Sequence, residues 1–164
     1  MHPRIEELEE KKIIGQSIQM SLINNKTGQL WGHFAPRIKE IQNRVSEDKI
    51  SMQIYPPLYY EEFNPSKAFE KWATVEVKDF ENIPNGMQSF VLEKGLYAVF
   101  EYKGSSADNS IFQYIFSKWL PNSIYLVDDR PHFEVLGSKY KNNDPESEEE
   151  IWIPIRAQHN KDHA

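Results

Sequence analysis

The stretch SEEEIWIPI, residues 147–155, runs three glutamates into a tryptophan bracketed by isoleucines and then meets proline. Its period-two alternation reads as a half-buried β-strand over 149–155. On that reading Ile151, Ile153 and Ile155 share one face with Glu149, and Glu150, Trp152 and Pro154 share the other. A carboxylate in an apolar surrounding is costly unless paired. The face each glutamate takes therefore separates a solvated edge charge from a site.

Upstream, HFEVL at 132–136 predicts a short strand after Pro131, joined to the last one by a polar loop. Ile111, Phe112, Ile115, Phe116 and Trp119 form one apolar helix face within 109–120, and Pro121-Asn122 ends it. LYAVFEYK at 96–103 predicts a ring-rich strand, and Ser89–Leu92 a short one before the turn Glu93-Lys94-Gly95. The first half has the same order. Leu30, Phe34, Ile38, Ile41 and Val45 mark a helix over 29–46, kinked at Pro36. Strands follow at Lys49–Tyr55 and Phe69–Lys78, the second with Ala73, Val75 and Val77 on one face and Trp72 on the other. Residues 5–23 are ambiguous, with helix formers in IEELEEKK and strand alternation from Ile14 onward.

This order predicts an α+β fold, a duplicated β-α-β-β with two halves side by side, approximately 5–79 and 88–155, in an antiparallel arrangement with both helices on one face. A single domain is expected over 1–157, with a disordered tail over 158–164.

The composition narrows the function. A net charge of −6 and no basic stripe argue against direct nucleic-acid binding. The absence of cysteine excludes disulfides, thiolate zinc sites and thiol catalysis. No signal peptide or apolar run of membrane-spanning length is present, so a cytoplasmic protein without membrane contact is expected. His33 and His132 lack ligand-like spacing, and the acidic residues at 144–150 lack the order of a calcium loop, so no metal and no cofactor are expected. There is no G-x-S-x-G elbow, P-loop or dinucleotide fingerprint.

Four segments together resemble a known family. EIWIP at 150–154, LYAVFEYKG at 96–104, RPHFEV at 130–135 and LWGHFAPRIKEI at 30–41 are similar to motifs of the gyrase-inhibitor-like small-molecule-binding domain. That is the effector-binding domain of many AraC-type and MerR-type regulators, also found as a stand-alone protein. Leu136 departs from the pattern, where the family often has tyrosine. The resemblance implies strand rather than helix for residues 5–22, and a groove on the sheet face away from the helices. It also implies a lipophilic or cationic organic ligand held there by a central glutamate and stacked rings.

Under that resemblance the expected ligand-binding residues are Glu150 as central charge, Glu134 beside it, and Tyr55, Trp72 and Trp152 as walls. Pattern alone leaves Glu150 a solvated edge charge and the rings ordinary core residues. The expected function is ligand sensing or sequestration by a stand-alone binding protein that does not itself read DNA. Two alternatives stay open. One is an interaction module for DNA gyrase or a transcription regulator. The other is a hydrolase of reactive electrophiles, with Glu150 activating water and Tyr55 assisting.

Overall fold

The structure, a computed structural model, describes residues 2–62 and 64–158. Beyond Gln158, the expected tail lies outside the described residues. Nine strands occur among them: β1 (Arg4–Leu8), β2 (Lys11–Met20), β3 (Lys49–Ile54), β4 (Phe69–Val77), β5 (Gln88–Leu92), β6 (Gly95–Lys103), β7 (Tyr125–Val127), β8 (His132–Leu136) and β9 (Glu148–Ala157). Helix α1 (Thr27–Phe34) continues as a 3-10 turn over Ala35–Glu40. Helix α2 (Ser110–Tyr114) runs through a π turn at Ile115–Trp119 into a last short helix, α3 (Leu120–Asn122).

The main sheet is antiparallel, in the order β1-β6-β9-β8-β3-β4-β2-β5, with β7 attached to β9. Its halves, β3-β4-β2-β5 and β8-β9-β6-β1, meet where β3 pairs with β8. The α+β class and the repeated order expected from the sequence are observed. Antiparallel partners share a face, so the register carries one face across the sheet. Ile151 opposes Glu134, which opposes Ser51, which opposes Ala73. The next row, on the other face, is Trp152, Phe133, Met52 and Trp72.

Both helices cover the Ile151–Ala73 face. Leu30 and Phe34 of α1, followed by Ile38 and Ile41, pack on Ile14, Ala73, Val75 and Val77. Ile111 and Ile115 pack on Ala98, Phe100, Ile151, Ile153 and Ile155. The opposite face has its own core, in which Leu8, Ile13, Leu92, Tyr97, Trp72, Phe133 and Trp152 come together.

Chain connections explain how that second core closes. Strands β1 and β2 lie six positions apart in the sheet order, yet only Glu9-Glu10 joins them; β5 and β6 are equally far apart and joined by Glu93-Lys94. In a flat sheet six strand spacings measure about 29 Å, whereas a two-residue link bridges at most about 11 Å. The sheet must therefore curl, bringing its ends together around the helix-free face. Each half also receives its edge strand from the segment that precedes the other half. Gly15 sits at a tight crossing in β2, where a Cβ would lie 1.9 Å from the Ala73 carbonyl oxygen.

The strand that the resemblance implied for residues 5–22 is observed, divided into β1 at one edge of the sheet and β2 next to the other edge. Two readings change. The helix expected over 29–46 ends its α part at Phe34, because Pro36 enters the 3-10 turn, and Val45 is exposed. Strand β7 was not legible, having only three half-buried residues.

Candidate functional site

The two helices cover the outer strands of each half and leave the central pair, β3 and β8, bare. A cavity of about 710 Å³ fills that gap. Lys49 and Ser51 of β3, Glu134 and Leu136 of β8, Lys71 of β4 and Glu149 of β9 line its sheet side. Trp31 of α1 and Phe112 of α2 form opposing walls, and Ser106, Tyr140, Asn142 and Asn143 contribute from loops. Its volume suits a drug-sized organic molecule.

This cavity lies on the helix-bearing face, between the helices, whereas the resemblance implied a groove on the face away from them. The helix-free face is instead filled by the second core.

This placement divides the expected site residues. Glu134 and Tyr55 lie on the cavity side, with Tyr55 beside Glu134 in a narrower aromatic recess that also includes Tyr60, Phe112, Phe116 and His132. Tyr60 stacks on Phe116 with ring centroids 4.7 Å apart, and Tyr55 meets His132 edge-on at 4.9 Å. Trp72 and Trp152 are buried in the core of the opposite face, although Trp152 also borders the aromatic recess. There Trp152 stacks on Phe133 at 5.2 Å and Trp72 tilts against Phe90.

Glu150 also leaves the cavity. Its carboxylate accepts from Arg4 Nη2 at 2.7 Å and from Trp152 Nε1 at 3.1 Å, so it clasps β1 to β9. The sequence reading placed Glu134 with Glu150; register puts them on opposite faces, because Val135, not Glu134, opposes Glu150.

The carboxyl that joins Glu134 is Glu149. Burial, then repulsion from Glu134, pushes Glu149 up to about 7, with Lys71 pulling it partly back. Burial also raises Glu134, against the pull of Lys71 and a hydrogen bond at 3.0 Å from Gln53 Nε2. Lys71 is itself buried, and that burial lowers its pKa despite the nearby carboxylates. His132 is held down at about 3 by burial, then by Arg130, so it is neutral at ordinary pH. Burial raises the Tyr55 hydroxyl, with Glu134 adding to the effect, so it stays protonated.

Sequence reasoning missed Glu149 and Lys71. The available signal was polarity on the middle strands: Lys49, Ser51 and Gln53 alternate along β3, and Lys71 interrupts an apolar run in β4. Central strands rarely carry such residues without a use for them. Among the described residues no cluster of metal-ligating side chains occurs, and no helix is long and apolar enough to cross a membrane.

Comparison with known proteins matches this arrangement to others. Residues 4–155 match the Cass2 family, described as integron-associated effector binding protein. The transcriptional regulator BrlR of Pseudomonas aeruginosa is 29% identical over 157 residues, covering 94% of this chain but 56% of BrlR, so the chain spans little more than half of that relative. An integron cassette protein from the mobile metagenome of Vibrio cholerae superimposes with a TM-score of 0.64 at 17% identity, over 94% of this chain and 96% of that one. SAV2435, solved bound to tetraphenylphosphonium, gives 0.68 at 17% identity over 95% and 94%. The resemblance drawn from the four sequence motifs is borne out: the chain belongs to the integron-associated effector binding proteins and has the gyrase-inhibitor-like fold.

Proposed function

We propose that residues 1–157 act as one effector-binding domain that takes an amphipathic organic cation into the cavity between α1 and α2, for sensing or sequestration. The observation that carries this reading is the pair of carboxyls, Glu134 and Glu149, set in a cavity of about 710 Å³ walled by Trp31 and Phe112. A buried carboxylate gains most from a partner of opposite charge. Aromatic walls add about 0.5–2 kcal/mol per favourable cation–π contact. The tetraphenylphosphonium bound to SAV2435 and the regulatory role of BrlR support the ligand class and the sensing purpose.

Titration with rhodamine 6G and tetraphenylphosphonium, followed by tryptophan fluorescence, tests it. Saturable quenching is expected for at least one cation, through Trp31, the tryptophan that lines the cavity. The signal should vanish in Trp31→Phe, and binding by calorimetry should weaken about tenfold or more in Glu134→Gln/Glu149→Gln. Binding unchanged in that double variant would sink the proposal.

A further inference from the structure

Lys71 is the charged group that a simple cation site does not explain. Strand β4 is buried along most of its length, and Lys71 stands within it between Phe69 and Ala73. A lysine is seldom buried unless it is paired. Yet the Lys71 side chain makes no salt bridge or hydrogen bond to another described residue, although Glu134 and Glu149 both act on it electrostatically. Glu134 takes its hydrogen bond from Gln53, the residue directly opposite Lys71 across the β3–β4 pair. The three charges therefore line one cavity, and Lys71 stands unpaired in it.

A ligand presenting only a cation would neutralise the glutamates and leave the Lys71 ammonium facing like charge, deprived of water. Both effects oppose binding. A ligand with an acceptor near its cationic centre would satisfy both signs. Resting on the cation-binding reading above, we infer that Lys71 is a specificity-determining residue that selects organic cations carrying a hydrogen-bond acceptor, such as an ester, amide or carboxylate oxygen.

Two ligands of the same charge and similar length separate the effects: benzoylcholine, and (4-phenylbutyl)trimethylammonium, in which methylenes replace the ester. Burial of apolar surface alone favours the hydrocarbon. Calorimetric titration at pH 8 is expected to show the ester bound at least tenfold more tightly by the wild type. Lys71→Met should bind the hydrocarbon more tightly than wild type does, with the preference abolished or reversed. Lys71→Gln, which keeps a donor, should retain part of the preference; it also serves as the test if Lys71→Met fails to fold. An ester-to-hydrocarbon ratio that is the same in wild type and variants overturns the inference. If that occurs while Glu134→Gln/Glu149→Gln still weakens both ligands, the cation-binding reading survives it. Failure of either ligand to bind any of these proteins, together with no response to rhodamine 6G or tetraphenylphosphonium, overturns both.

Discussion

Successive side chains of a strand point to opposite faces, and at the start of β9 this gives adjacent glutamates different chemistry. Glu150 has a guanidinium partner at 2.7 Å, whereas Glu149 has burial and the Glu134 charge, which hold it near 7. A bound cation favours the ionised form, so on the proposed reading ligand binding at neutral pH would expel a proton from Glu149. Affinity for a cation must then rise as pH rises through about 7 and fall below it, where the carboxyl has to be deprotonated first. We expect dissociation constants roughly tenfold weaker at pH 6 than at pH 8. Glu149→Gln should flatten this dependence and bind weakly throughout. Calorimetry in buffers of different ionisation enthalpy checks the proton release directly. The same shift bears on folding. A carboxyl raised in the folded state contributes stability fully present below its unfolded value and lost as pH rises through about 7. Ligand binding and stability thus ask opposite things of Glu149.

Strand β1 is held by side-chain ties as well as by pairing. It is five residues long, pairs with β6 alone among the described strands, and its Arg4 reaches Glu6, Glu101 and Glu150. Half-exposed ion pairs contribute little singly, but this one joins β1 to β9 and also fixes the Trp152 indole. Glu150→Gln is expected to cost about 0.5–1.5 kcal/mol in chemical denaturation. Cation affinity should be unchanged, which separates this clasp from the cavity carboxyls. Element boundaries show the same split between local and distant causes. Strand β8 matches the HFEVL segment because Pro131 and alternation bound it locally. The break between β1 and β2 was illegible, because Glu9-Glu10 contains no turn residue; what ends β1 is its partner at the far side of the sheet.

For the whole molecule, the cavity exists because two helices packed on the outer strands leave β3 and β8 uncovered between them. On the proposed reading a ligand there would touch both halves and bind the folded chain alone, and so would stabilise it by mass action. At a hundredfold excess over Kd the gain is about 2.7 kcal/mol. For a chain of this size that is a rise in Tm of about 5–10 °C. Thermal scans with and without ligand check it, and Glu134→Gln/Glu149→Gln should show little rise.

Local pattern was enough to specify the α+β class, the repeated order of elements and, through four motifs, the family. Within β4 and β9 it also sorted residues into the two observed faces: Ala73 and Trp72 take opposite faces, Glu149 travels with Ile151, and Glu150 with Trp152. It could not say which face of one strand continues which face of the next, because that depends on register between residues as distant as Glu134 and Ile151 or Ser51 and Glu134. Apolar residues gave no guide, since the curl buries both faces of β4: Trp72 lies in one core and Ala73 in the other. Only tertiary packing, by closing the sheet around the tryptophans and parting the helices over the middle strands, decided that Glu134, Glu149 and Lys71 share the cavity.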